Sequence, residues 1–210
     1  TTIDYKSRQN LKRVNLLDSV PLRGPLSVHI EPTNVCNFKC TFCPESFENY
    51  QEKAGGLFQL TLDDFKLIAD QLATVPKIKQ INFFMMGEPL VNKNLIKFIK
   101  IANERDLANW YMVSSNATLL TKEKYKDLCE SGLHYFRISI FGSNEEIHRN
   151  RTQSKIKLSR VKENIRNLQK FKAENGYSNP HTLVKMVDTG ATAENEEFIK
   201  DFTGIGDEIL

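Results

Sequence analysis

The chain has 210 residues, 40% of them hydrophobic and 26% charged, which suffices for one ordinary domain with a real core and rules out wholesale disorder. Only 10 Gly and 7 Pro exclude a fibrous or low-complexity chain. Against 26 Asp and Glu, 29 Lys and Arg leave a net charge of +3 spread along the sequence, without the concentrated basic face that a nucleic-acid partner needs.

The first ten residues, TTIDYKSRQN, are polar and carry no secretory signal, and residues 1–25 read as an N-terminal extension. The missing initiator Met suggests a trimmed or processed product. A first strand is expected over 26–32 (LSVHIEP), followed by about twenty-five residues without periodicity, far longer than an ordinary connection. Thr61, with Asp64 three residues on, opens a helix whose apolar stripe is Phe65, Ile68, Ala69 and Leu72. Strand two is expected over 79–85 (KQINFFM), and a helix over 92–105 with Leu95, Phe98, Ile99 and Ala102 on one face. Strand three falls at 110–114, a short helix at 122–130 closed by Gly132, and strand four at 135–141. A long helix over 156–174 places Leu158, Val161, Ile165, Leu168 and Phe171 on one stripe. Strand five is expected over 181–187, a fifth helix over 194–202, and a sixth strand begins at Asp207.

Strand–helix alternation implies an α/β fold with parallel strands and right-handed crossovers. Six strands suit either an open doubly wound sheet or an incomplete (β/α) barrel, and both put ligands at the C-terminal ends of the strands. The chain ends as a strand begins, which suggests part of a longer protein. The longest apolar run, roughly residues 81–86, is too short to span a bilayer, so a cytoplasmic protein without a membrane partner is expected.

Three of the four cysteines, Cys36, Cys40 and Cys43, fall within one short stretch of the long loop, and Cys129 lies far away. Neighbouring thiols in a chain without a secretion signal point to a reducing compartment and a metal site rather than a disulfide framework. A structural zinc would want a fourth ligand, for which Cys129 and His29 are candidates. His29 reads first as a strand residue and Cys129 as a small buried hydrophobe. Three ligands without a local fourth leave a metal position open for a substrate or cofactor, which favours an iron–sulfur cluster that binds something.

The spacing Cys36-x3-Cys40-x2-Cys43, with aromatic Phe42 before the last Cys, resembles the radical S-adenosylmethionine (SAM) superfamily. The segment Met86-Gly87-Glu88-Pro89-Leu90 is similar to the family's Gly-Gly-Glu-Pro turn, which receives the SAM amino group; Met86 departs from it. Residues 114–120 (SSNATLL) resemble the Thr-Asn-Gly-Thr-Leu-Leu segment with Asn116 retained, and Ser139 matches a strand-four serine that touches SAM. Phe141 stands where the family usually has Asp. Arg151 or Arg149 resembles the basic partner of the SAM carboxylate; a solvated charge is the plain alternative. Val184 and Met186 share a face of strand five and are candidates for adenine contacts or for core.

The resemblance implies a partial (β/α)6 TIM-like barrel over 26–210, a [4Fe–4S] cluster on the three cysteines, and SAM in contact with Phe42, Gly87, Glu88, Pro89, Asn116, Ser139, Arg151, Val184 and Met186. It implies reductive SAM cleavage to a 5′-deoxyadenosyl radical that abstracts hydrogen from a peptide, protein or sugar-type substrate, with flavodoxin or ferredoxin as reductant. The motif form is closer to the branch carrying C-terminal auxiliary-cluster (SPASM or twitch) domains, and the lack of Cys after Cys129 implies that no such domain is in this chain. The competing readings are a non-catalytic iron–sulfur or zinc module, an α/β binding domain in which the cysteines are structural and no metal is needed, and a radical SAM core without turnover.

Overall fold

The computed structural model describes residues 20–210 together with Asn15 and Leu17, so the expected extension over 1–25 lies largely outside the described residues. Six strands, β1 (Ser27–His29), β2 (Gln80–Asn82), β3 (Tyr111–Ser115), β4 (Tyr135–Ile140), β5 (His181–Met186) and β6 (Glu208–Ile209), form one sheet. Its order is β1-β2-β3-β4-β5-β6, with every neighbouring pair parallel. A doubly wound sheet reverses its strand order at a switch point. The strictly sequential order has no reversal and is that of an incomplete barrel.

The helices are α1 (Tyr50–Lys53), α2 (Leu62–Leu72), α3 (Leu95–Glu104), α4 (Lys122–Cys129), α5 (Glu145–Thr152), α6 (Leu158–Asn175) and α7 (Thr192–Phe202). Thr61 caps α2 as its sequence predicts: its Oγ1 accepts from Asp64 N at 3.1 Å and donates to Asp64 Oδ2 at 2.6 Å. Helix α2 buries Phe65 and Ala69, and Phe65 stacks on Phe98 of α3 at 4.7 Å. Gly176, at φ 72°, ends α6 in the left-handed conformation that glycine adopts without penalty.

The two faces of the sheet divide cleanly. Ile81, Val113, Ile138, Ile140 and Val184 are buried against the helices. The alternate residues, among them Asn82, Ser114, Arg137, Ser139 and Lys185, turn to the inner face. This inner face is largely polar, with Met112, Tyr135 and Leu183 among its apolar members, unlike the apolar filling of a closed barrel.

Two helices are not expected from the sequence, the single turn α1 within the long loop, and α5. Residues 145–152 form α5, capped by Asn144, whose Oδ1 accepts from Ile147 N at 3.1 Å, with Glu145 and Glu146 in its first turn. Its apolar content is a single Ile147, so hydrophobic periodicity cannot reveal it.

Candidate active site

The long connection after β1 is an ordered structure built on short polar side chains. Asn34 Nδ2 donates to Gly56 O (2.8 Å), while its Oδ1 accepts from Phe58 N (2.8 Å). Thr33 Oγ1 donates to Phe58 O (2.7 Å), and Asn92 Nδ2 donates to Pro32 O and Leu60 O (2.6 and 2.9 Å). The cysteine segment is docked on the end of α5, with Lys39 N donating to Thr152 O (3.0 Å) and Thr41 N to Arg151 O (2.8 Å). Backbone groups that no regular element would satisfy are thereby paired.

This anchoring brings Cys36, Cys40 and Cys43 to the C-terminal ends of β1–β4, around a cavity of ≈ 230 Å³. Residues 84–88 after β2, Ser114, Ser115 and Asn116 at the end of β3, and Arg137, Ser139 and Phe141 on and after β4 complete the lining. Phe42 also lines it, with its ring 5.6 Å from that of Phe141.

Three contacts fix the turn at residues 85–88. Glu31, just past β1, accepts from Met86 N (2.7 Å) and Gly87 N (3.4 Å) through Oε1. Glu88 N donates to Val35 O at 3.0 Å, joining the turn to the cysteine loop. A Cβ on Gly87 would lie 2.2 Å from Thr33 O and 2.9 Å from the Asn34 backbone, so only glycine permits this approach.

Both oxygens of the Glu88 side chain are held by protein donors. Its Oε1 accepts from Leu90 N (3.1 Å) and Ser115 Oγ (2.6 Å), and its Oε2 accepts from Asn116 N (2.7 Å). Burial pushes its carboxyl up to about 6, against the pull of these three donors. Asn116 Nδ2 donates to Asn37 Oδ1 (2.9 Å), Asn37 Nδ2 to Thr118 Oγ1 (2.7 Å), and Thr118 Oγ1 to Asn116 Oδ1 (2.6 Å). These bonds tie the end of β3 to the cysteine loop. Ala117 sits at φ 56°, a left-handed conformation natural for the Gly usual at this place in the motif.

No cysteine here is in a disulfide. Burial pushes the Cys36 and Cys40 thiols up to about 12, with Glu45 adding to both shifts and Cys43 to that of Cys40. Burial of this kind disfavours the thiolate, which a cationic centre would stabilise. Among the described residues no three His, Cys, Asp or Glu side chains converge closely enough for a single metal ion. Three thiols on one loop can each attach to a different iron of a cubane.

Several sequence-predicted positions lie off the cavity. Pro89 opens a buried 3-10 turn, Pro89–Val91. Arg151 makes a two-pronged ion pair with Glu194 of α7, at 2.9 Å for Nη2 to Oε2. Val184 and Met186 are on the helix side of β5. Val184 is in the core, and Met186 faces Phe198 and Ile199 in a separate apolar cavity. His29 Nε2 is 3.1 Å from Asn82 Nδ2, and Cys129 belongs to the core, so neither joins the other cysteines. Conversely, Glu31, Asn37, Glu45, Ser115 and Arg137 contribute to the site although the sequence does not mark them as site residues. The local signals are the position of Asn37 and Glu45 beside the cysteine motif and that of Ser115 within the segment 114–120.

Residues 30–202 match the family model described as Radical SAM superfamily. The chain is 30% identical over 164 residues to the tungsten-containing aldehyde ferredoxin oxidoreductase cofactor-modifying protein of Pyrococcus furiosus, covering 77% of this chain and 43% of that protein. It is 29% identical over 142 residues to the PqqA peptide cyclase of Bradyrhizobium diazoefficiens, covering 65% and 35%. The chain thus spans less than half the length of these curated relatives. Its fold is similar to that of anSMEcpe with bound AdoMet (TM-score 0.66, 20% identity, 86% of this chain and 48% of that one). It is also similar to Streptococcus suis SuiB bound to its precursor peptide SuiA (TM-score 0.62, 16% identity, 97% and 44%). No helix among the described residues is long and apolar enough to cross a membrane. Strand order, cysteine loop and matched span agree: this chain belongs to the radical SAM superfamily, whose enzymes use a [4Fe–4S] cluster and SAM.

Proposed function

We propose that Cys36, Cys40 and Cys43 hold a [4Fe–4S] cluster, that SAM occupies the cavity beside them, and that the chain is the catalytic core of an enzyme abstracting hydrogen from its substrate. The observation that carries this reading is the convergence of the three cysteines with the ends of β2, β3 and β4 on one cavity. When bound, the cluster supplies the single electron for reductive cleavage of SAM.

The chain's own residues position and shield. Backbone carbonyls of residues 85–87, in the turn that Glu31 and Glu88 brace, are the acceptors for the SAM ammonium. This gives Glu88 a bracing role in place of direct contact. The Ser139 hydroxyl, 3.5 Å from Ser114 Oγ, is a donor for the SAM carboxylate. Phe38, Phe42 and Phe141 pack together on the cysteine side of the cavity. Arg151 acts by holding α5, on which the cysteine loop rests, against α7.

The substrate is a peptide or protein in this reading, since the relatives include a peptide cyclase and a fold neighbour bound to a precursor peptide. A sugar-type substrate is the second choice, and a small flavodoxin or ferredoxin supplies the electron. Anaerobic reconstitution with iron and sulfide, followed by SAM and dithionite, tests the function. Deoxyadenosine is expected from the wild type and none from Cys40→Ala. A cluster that leaves SAM intact, or a chain that takes up only zinc, refutes it.

A further inference from the structure

One carboxylate on the cavity wall has no task in the function proposed above. Glu45, in the 3-10 turn Pro44–Ser46, lines the cavity and is 5% exposed. Ser46 N donates to Cys43 O and Phe47 N to Pro44 O, both at 3.0 Å, which fixes this turn directly after the third cysteine. The Cys36 thiol and backbone N–H lie beside the Glu45 carboxylate. Lys39 attracts it without forming an ion pair, its Nζ reaching the Glu45 backbone O at 3.4 Å, and no other Lys or Arg among the described residues pairs with it. A thiol is a weak donor, so this buried carboxylate has one good donor for its two oxygens and no paired cation. That deficit is costly unless a ligand in the cavity fills it.

The carboxylate lies close to the turn at 85–88. The peptide unit joining Val35 to Cys36 links the two: its C=O accepts from Glu88 N at 3.0 Å, and its N–H faces Glu45. Glu31, whose Oε1 accepts from Met86 N at 2.7 Å, is near enough for its charge to act on Glu45. Resting on the function proposed above, we propose that the Glu45 carboxylate is the anionic acceptor for the amino group of SAM, beside the carbonyls of residues 85–87. The oxygens of Glu88 already serve Leu90, Ser115 and Asn116, so the acid of the turn braces the wall and the acid of the cysteine loop carries the charge. The carbonyls give the amino group its direction, and Glu45 adds a charge-assisted contact. A purely structural role beside Cys36 would make Glu45 indifferent to whether the ligand has an amino group.

Anaerobic calorimetry on the reconstituted chain with its cluster oxidised, where SAM binds without being cleaved, tests the proposal. The probes are SAM, S-adenosylhomocysteine, which keeps the amino group and lacks the sulfonium charge, and a SAM analogue with hydrogen in place of the amino group. Binding is expressed per assembled cluster, from iron and sulfide content. Glu45→Gln is expected to weaken SAM and S-adenosylhomocysteine about tenfold, the loss of one charge-assisted contact, and to leave the deaminated analogue within about twofold of wild type. Glu45→Asp, which keeps the charge and draws it back by one methylene, shows the same selective loss to a smaller degree and carries the comparison if Glu45→Gln takes up no cluster. Equal loss for all three probes, or loss for none, overturns the assignment, as does failure of both variants to take up a cluster, since Glu45 is then a structural partner of Cys36. Loss confined to SAM also overturns it, by placing the carboxylate against the sulfonium. A wild-type cluster that binds no SAM defeats the underlying function itself, whereas failure to make deoxyadenosine leaves the binding result readable.

Discussion

Glu88 gives the sharpest test of how the site is built. It is buried, and both its oxygens accept only from protein donors: Leu90 N, Ser115 Oγ and Asn116 N. In Glu88→Gln the amide oxygen can serve either the Leu90 and Ser115 pair or Asn116, and the amide NH2 then faces a donor. One buried N–H or O–H loses its partner at about 1–3 kcal/mol, and the remaining bonds lose their charge assistance, for a total of about 2–4 kcal/mol. Glu88→Ala abandons all three donors and leaves a cavity, so it costs more, about 5 kcal/mol, a large share of a domain's stability. Urea unfolding of the cluster-free chain, read by far-UV circular dichroism, measures both. A Glu88→Gln variant within about 0.5 kcal/mol of wild type would refute the bracing role, doubly so if its affinity for SAM had collapsed.

Further outcomes follow from the same geometry. Gly87→Ala pushes a methyl into Thr33 O and the Asn34 backbone, so it destabilises the chain by about 1–3 kcal/mol in the same unfolding assay and lowers cluster occupancy; a silent variant would contradict the close approach. Cluster loading strengthens as pH rises. Cys36 and Cys40, whose thiols burial pushes up to about 12, release their protons on binding, so cluster occupancy after reconstitution should be higher at pH 8 than at pH 7, and pH-independent loading would contradict this. Arg151→Ala breaks the pair with Glu194, which is 9% exposed, and lowers stability by about 1–2 kcal/mol; unchanged stability with tenfold weaker SAM binding would restore Arg151 as a cofactor contact. Arg151 holds the Glu194 carboxyl below its usual range, so the pair's contribution is present above the ordinary carboxylate pKa and fades as pH falls through the lowered one.

The parts legible in the sequence are those carried by neighbouring residues. Phe65, Ile68, Ala69 and Leu72 repeat at helical spacing, and Thr61 with Asp64 caps their helix, so the residues alone specify α2. The cysteine spacing is equally local. The strand boundaries expected from the apolar pattern are too generous: β1 has three residues and β6 two, because ladder pairing at the sheet edges ends before the apolar pattern does. Period-two alternation shows that Val184 and Met186 share a face but not which face, and theirs is the helix side. Glu31, Arg137 and Lys185 depend on register between strands distant in sequence, which no single-chain pattern encodes. Polar residues that order the long loop, such as Asn34 and Asn92, are indistinguishable in sequence from solvated loop residues.

The central claim is that three cysteines on one loop hold a cluster to which SAM binds directly. Electron paramagnetic resonance of the reduced, reconstituted chain, recorded with and without SAM, tests it most directly. The account predicts a [4Fe–4S]⁺ signal that changes shape when SAM is added, and that is lost in Cys36→Ala, Cys40→Ala and Cys43→Ala. A cluster signal indifferent to SAM, or one that survives loss of any of these thiols, would contradict it.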